Sequence, residues 1–384
     1  MTITEASEEQ KKTIALLSMK MGALGYNARF TRLENGPIIT QYYFQADPLA
    51  PISKIMNKSE DLAAACSVEA ILIGREKGEI NISVPNKDRT LIKFDQCLNW
   101  LAVNSSEGLP LLMGQSPTGQ NFSLDLCIQP HMLIAGSTGS GKSIYLSQLI
   151  ASLVIQKSPK ELQLLLVDTK QVDLTLFSSL PHVITVVDKV LDLHKHLDRM
   201  LDIVRQRTQK MKEIARNIKE YNTLTGSALP YYVIIIDELA DVIMQDQELA
   251  KSEDAETKRT RIAAKIAQIA QISRASGIHI ITATQRPSVK VLNGDIKTNF
   301  PTRISFRLPT GVDSRVILDE NGAESLLGRG DYLYRTAESS EIKRAHSAFV
   351  SMDDIARILT QHNEIREQFN YMRSLQENLN ANIS

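Results

Sequence analysis

Hydrophobic positions change their period midway along the chain. Residues 8–24 place apolar side chains at helical spacing, and residues 28–44 then read as two strands around Glu34-Asn35-Gly36, a hairpin turn signal. A helical segment at 61–66 precedes strand-like runs at 70–73 and 79–84, where Ile80, Ile82 and Val84 alternate with polar residues as in a half-buried strand. Pro85 closes the second run. A short helical stretch near 98–101 leads into Val103-Asn104-Ser105-Ser106-Glu107-Gly108, a polar segment expected to join two domains. Residues 1–108 are thus a small α+β unit.

From Leu109 onward the pattern consists of short apolar runs separated by longer helical ones. The runs lie at 132–135, 164–167, 183–187, 232–236, 278–283 and 304–308. Each is apolar on both faces, as strands of a parallel sheet covered by helices must be. Helices are expected at 143–155, 189–216 and 261–276. This alternation predicts an α/β, motor-like domain over residues 109–354. Residues 245–260 are charge-dense and poor in apolar residues, which predicts a solvated loop. In residues 355–384, Ile358, Ile365, Phe369, Met372, Leu375 and Leu379 recur at near-helical intervals, predicting an amphipathic helix packed on its own motor or on a neighbour.

Composition narrows the setting. A chain of 384 residues with 43% hydrophobic and 23% charged residues is an ordinary folded protein, not a collagen, a solvating tail or a disordered chain. Cys66, Cys97 and Cys127 stand apart with no CxxC spacing, so neither a disulfide framework nor a structural zinc site is indicated, and a reducing, cytoplasmic setting is expected. The opening MTITEASEEQKK carries acids before any apolar stretch, and the apolar run 144–155 is interrupted by Ser147, Gln148 and Ser152, so no signal peptide or membrane span is expected. Forty-four basic residues balance 44 acidic ones. Neutrality argues against non-specific coating of nucleic acid, yet allows a ring or channel in which basic loops from several subunits converge on phosphates.

The sharpest chemical signal is Gly136-Ser137-Thr138-Gly139-Ser140-Gly141-Lys142-Ser143, which satisfies GxxxxGK[ST] between an apolar strand and a helix. Together with Ile144 it makes the expected nucleotide-binding span. Its glycines let backbone N–H groups curl around phosphate, Lys142 reaches the β- and γ-phosphates, and Ser143 can ligate Mg2+. Val233-Ile234-Ile235-Ile236-Asp237-Glu238 looks like the matching acidic element. Asp237 is expected to hold Mg2+ and Glu238 to polarise the attacking water. Asp168, at the end of another apolar run, is the rival Mg2+ carboxylate and ranks second because no general base adjoins it. Gln285 follows the run 278–284 and is the candidate sensor of the γ-phosphate. Arg274 ends the preceding helix, where it is either a finger reaching a neighbouring subunit's γ-phosphate or a helix-terminal cation facing the dipole. His194 and His196, two apart on a helix, point in different directions and do not make a metal pair.

These stretches resemble the FtsK/SpoIIIE family of hexameric double-stranded DNA translocases. The matching stretches run from Gly36-Pro37-Ile38-Ile39-Thr40 and Pro85-Asn86-Lys87, through Pro130-His131, the P-loop and Asp237-Glu238-Leu239-Ala240-Asp241. They continue in Gly277-Ile278-His279, Ala283-Thr284-Gln285-Arg286-Pro287, Pro301-Thr302-Arg303-Ile304, Asp313-Ser314-Arg315 and Gly322-Ala323-Glu324. The resemblance implies an α+β collar, a RecA-like P-loop motor and a homohexamer threaded by duplex DNA, driven by ATP and Mg2+. It gives Arg274 the role of arginine finger and Gln285 that of sensor, and places Arg286, Lys297 and Arg315 on loops facing DNA. Arg303 is expected to pack or pair at the start of its strand. Gly311 stands where the family often carries a lysine, so one DNA contact per subunit is missing. The membrane anchors and the C-terminal winged helix of the family are expected to be absent, leaving either a cytoplasmic motor serving a mobile element or one brought to a membrane by a recruiting protein. An ATPase of the same family that moves protein substrates is the alternative reading.

Overall fold

The structure, a computed structural model, describes residues 2–46, 55, 58–104, 108–252, 260–292 and 294–381. The first helix, Glu8–Ala23, begins with a capping box: the Ser7 hydroxyl accepts from the Gln10 amide, and the Gln10 side chain accepts from the Ser7 amide at 2.9 Å. Strands β1 (Ala28–Asn35), β2 (Ile39–Ala46), β3 (Leu72–Glu76) and β4 (Glu79–Pro85) form an antiparallel sheet in the order β1-β2-β4-β3. Leu33, Tyr42, Phe44, Ile73, Ile80 and Ile82 pack with Ile14, Leu17 and Met21 of the first helix and Leu62 of helix Ser59–Cys66. This is the α+β unit that the alternation predicts.

The rest of the chain is built on a second sheet of ten strands. These are β5 (Pro110–Gln115), β6 (Asn121–Asp125), β7 (His131–Ala135), β8 (Leu162–Val167), β9 (Val183–Val187), β10 (Tyr231–Ile236), β11 (Ile278–Thr284), β12 (Thr302–Phe306), β13 (Asp331–Thr336) and β14 (Ser339–His346). Their order is β6-β5-β14-β13-β12-β7-β11-β10-β8-β9. The six strands from β12 to β9 are parallel and correspond to the six apolar runs. In the strands inside the sheet both faces are buried, which is why their sequences do not alternate: Met132 and Ile134 of β7 enter one core while Leu133 and Ala135 enter the other; the edge strand β9 leaves Ile184 exposed. Each fully buried Leu or Ile contributes roughly 1.5–3 kcal/mol over its exposed state. Helix Lys142–Gln156 covers the first face, and Val190–Met211, Leu239–Ser252 and Ile262–Ile272 cover the second.

Several expectations need correction. Residues 245–252 are not a loop but the end of helix Leu239–Ser252, whose Asp246 is buried and accepts from His194 Nε2 at 2.7 Å. The solvated face of that helix carries its charges, so composition alone mimicked a loop; the remainder of that stretch, 253–259, lies outside the described residues. The helix expected over 189–216 stops at Met211, and a separate helix, Ile218–Thr225, follows. Helix Phe94–Asn104 packs Phe94, Cys97, Leu98 and Leu101 into the motor core. The C-terminal helix, Met352–Ala381, lies on its own motor: Ile355 and Ile358 are buried and Ile365 and Met372 pack against the same core. The side chains of Phe369, Leu375 and Leu379 lie outside the described residues.

Register brings the site together. Ile236 pairs with Thr282 and with Val167, and Thr284 pairs with Ala135, so the C-terminal ends of β7, β10 and β11 deliver residues 136, 237 and 285 to one edge of the sheet.

Candidate nucleotide site

The loop after β7 is pinned before it turns into its helix. The Gly136 amide donates to Thr284 O at 3.2 Å, and the Ser137 amide and hydroxyl donate to Arg307 O at 3.0 and 2.9 Å. Gly141 then adopts φ 109°, and a Cβ there would meet Gly330 N at 2.5 Å, so the motif's glycine is required by both conformation and space. The cavity above the loop measures about 650 Å3 and is lined by Ser137, Thr138, Gly139, Gly141, Lys142, Ser143 and Ile144, with Gln285 and Asp173 beside them. Leu91 and Phe349 stand on other walls of the same cavity. A nucleoside triphosphate fits on three counts: the volume, the N-terminus of a fifteen-residue helix, and the buried Ser140 hydroxyl of the loop, which has no hydrogen-bond partner among the described residues.

Lys142 is engaged from below. Its Nζ lies 2.6 Å from Asp237 Oδ1 and 3.0 Å from Asp237 O, and both residues are nearly inaccessible. Ser143 Oγ donates to Asp173 Oδ2 at 2.6 Å. Asp173 is a third acid at the site, and sequence reading missed it because it sits in an irregular turn with no motif of its own. That turn is built by the rival carboxylate: Asp168 Oδ2 accepts from the amides of Val172, Leu174 and Thr175 at 3.0, 2.9 and 3.3 Å. Asp168 thus organises the loop that presents Asp173.

Glu238 is buried and doubly held, accepting from Thr284 Oγ1 at 2.6 Å and from the Gln285 amide at 2.9 Å. Gln285 also reaches the P-loop, its Oε1 accepting from Thr138 Oγ1 at 3.0 Å. The acid, the strand tip and the phosphate loop are therefore one hydrogen-bonded chain. Lys170 stands 3.1 Å from Asp241 and 4.0 Å from Glu238; burial works against its charge, but the surrounding acids outweigh burial and raise its pKa.

Arg274 lies elsewhere. It does not end the helix, which stops at Ile272; it opens the 3-10 turn Arg274–Ser276 ahead of β11 and is exposed. The length of β11 puts it roughly 20 Å from Gln285 of the same chain, on the opposite edge of the sheet. His131 and His279 are buried; burial first, then repulsion from His279 and from Arg274, lowers the pKa of His131 to about 3, and burial with a smaller push from Arg274 lowers that of His279 to about 4.

The three residues expected to face DNA differ in state. Arg286 and Arg315 are exposed and have no carboxylate partner among the described residues. Lys297, on helix Gly294–Asn299, pairs with Asp319 at 2.6 Å. Asp319 also takes Arg303 at 2.5 Å and Arg335 at 3.1 Å, so Arg303 packs and pairs at the start of β12. Among the described residues no helix is long and apolar enough to cross a membrane.

Comparison with known proteins places this geometry. The chain is 36% identical over 370 residues to a DNA translocase FtsK of Helicobacter pylori, covering 93% of this chain and 42% of that protein. It is 36% identical over 383 residues to a DNA translocase FtsK of Clostridium acetobutylicum, covering 96% and 48%. The chain thus spans less than half the length of these curated relatives. Among solved structures, the pCW3 conjugation coupling protein TcpA, in a monomer form with ATPγS, aligns with a TM-score of 0.64 at 25% identity over 93% of this chain and 99% of that one. The cytoplasmic domain of the type VII secretion ATPase EccC from Thermomonospora curvata aligns with a TM-score of 0.58 at 22% identity, over 71% of this chain and 35% of that one, a likeness of fold. Residues 2–86 match the FtsK alpha domain and residues 101–289 match the FtsK/SpoIIIE family. With both domains matched in chain order, the protein belongs to the FtsK/SpoIIIE family.

Proposed function

We propose that the chain is the ATP-hydrolysing motor of a double-stranded DNA translocase, working in the cytoplasm as a homohexameric ring that pumps duplex through its pore. One observation carries the reading. Lys142, Asp237, Glu238 and Gln285 converge at the C-terminal ends of the parallel strands while Arg274 stands exposed at the opposite ends, an arrangement in which Arg274 can serve only the site of a second copy.

ATP is the substrate of this site. Lys142 exchanges Asp237 for phosphate when the cavity fills. The Ser143 hydroxyl and the Asp237 carboxylate would hold Mg2+, which would supply neutralising charge at the phosphates. Glu238, oriented by Thr284 and the Gln285 amide, accepts the proton of the attacking water. Gln285, bonded to Thr138, registers the loss of the terminal phosphate and passes it to Arg286, the next residue. A neighbour's Arg274 steadies the charge that develops on transfer, a contribution of about a thousandfold or more. Arg286, Arg315 and, once freed from Asp319, Lys297 grip the DNA backbone without reading sequence.

ATP turnover measured without nucleic acid, with single-stranded DNA and with linear duplex, at low and moderate salt, tests this reading. Duplex should stimulate most, and stimulation should fade as salt rises. Turnover indifferent to every nucleic acid would overturn the DNA assignment in favour of a protein-moving ATPase.

A further inference from the structure

Gly328, Arg329 and Gly330 form the longest run of left-handed backbone among the described residues, with φ of 77°, 51° and 99°. For the two glycines this is free of strain; for Arg329 it is unfavourable unless the surroundings impose it. They do. The Gly330 amide donates to Ser140 O of the P-loop at 2.9 Å, the Ser347 amide donates to Gly330 O at 2.8 Å, and the Asp331 amide donates to Gly328 O at 3.2 Å. Behind the turn, Asp331 is buried and held by Arg344 at 2.9 and 2.7 Å and by His346 at 3.1 Å. A buried ion pair thus clamps this turn against the phosphate loop.

The clamp fixes where the one side chain in the run goes. Arg329 lines the same cavity as Lys142 and Ser143, is exposed, and has no carboxylate partner among the described residues. The other charged groups lining that cavity include Lys142, already paired with Asp237, and Asp173, bonded to Ser143. A guanidinium held by a strained turn beside a phosphate loop, with no acid to neutralise it, is arranged for an anion that the protein does not supply.

Resting on the nucleotide-site reading above, we propose that Arg329 is a phosphate-binding residue acting in cis: its guanidinium pairs with phosphate oxygens of the nucleoside triphosphate bound to its own subunit, alongside Lys142. It is distinct from Arg274, which lies at the far edge and serves another copy.

The test is equilibrium binding of a fluorescent ATP analogue to the wild type, R329G, R329K and K142A at low and moderate salt, with melting temperatures recorded alongside. Glycine adopts the left-handed turn without strain, so R329G removes the guanidinium while keeping the backbone, and its melting temperature should match or exceed that of the wild type. R329G should bind the analogue about tenfold more weakly, a loss that shrinks as salt rises, and R329K should recover part of it. Wild-type affinity in a stably folded R329G, with K142A weakened, would overturn the role of Arg329 alone. If that variant instead lost only its stimulation by duplex, Arg329 would belong to the DNA path and the proposal would fail. Unchanged binding in K142A would overturn the nucleotide-site reading itself.

Discussion

Lys142 and Asp237 hold each other at 2.6 Å in the floor of the cavity, with a second bond from the ammonium to the Asp237 carbonyl at 3.0 Å. The residue proposed to reach phosphate and the residue proposed to hold metal therefore neutralise each other.

Lys142→Ala leaves a buried carboxylate without its cation, which costs about 3 kcal/mol, and removes the phosphate contact. The variant should fold with a lowered melting temperature and hydrolyse no ATP. Adding Asp237→Asn should restore most of the stability and none of the turnover. Normal hydrolysis in Lys142→Ala would contradict the P-loop assignment.

Glu238→Gln keeps the size and the contacts to Thr284 and Gln285 but removes the base. Nucleotide binding should survive while turnover falls by roughly a hundredfold or more. Thr284→Val, which deletes one of the two donors to Glu238, should lower turnover less and leave binding unchanged; binding and single-turnover rates measured together check both.

Arg274→Ala should bind ATP as the wild type does and hydrolyse it slowly. Mixed with Lys142→Ala, which is inactive alone, it should regain activity, because roughly a quarter of the interfaces in a random ring pair an intact Lys142 with an intact Arg274. No recovery on mixing, with assembly confirmed, would place Arg274 outside the neighbour's site.

Arg286→Ala together with Lys297→Ala should weaken duplex-stimulated turnover more than basal turnover. Most of the loss should come from Arg286, since Lys297 begins in an ion pair with Asp319. Equal loss of both activities would move these residues to the nucleotide site.

Acid should loosen the motor from about pH 6.5 downward. Burial lowers His279 to about 4 and His131 to about 3, so below the ordinary histidine value the unfolded chain takes up protons that the folded chain refuses. Asp331 adds to this at lower pH. Burial opposes its charge, but Arg344 and His346 hold its pKa well below the carboxylate range, so its contribution is present above the unfolded value and lost as pH falls through the folded one. Melting temperature should fall between pH 6.5 and 4, and His279→Gln should flatten the slope even where it lowers the absolute value.

The parallel strands and the P-loop were legible because burial on both faces leaves unmistakable apolar runs and because phosphate binding demands glycines at fixed spacing. The flanking strands β5, β6, β13 and β14 were not read, since they pair as two antiparallel hairpins whose sequences mix apolar and polar residues and give neither a continuous apolar run nor a crossover pattern. The helix at 245–252 was hidden by its charged, solvated face. The motif residues Lys142, Asp237, Glu238 and Gln285 could be named from sequence, whereas the contacts of Asp173 with Ser143 and of Thr284 with Glu238, and the place of Arg329 on the cavity wall, become visible only when loops distant in sequence meet at the ends of the strands.

Movement along DNA is the central claim, and displacement of a triplex-forming oligonucleotide from linear duplex tests it most directly. The protein with ATP should strip the third strand, and should fail to do so with Lys142→Ala or without hydrolysable nucleotide. Strong duplex-stimulated ATP turnover with no displacement under any of these conditions would contradict the account.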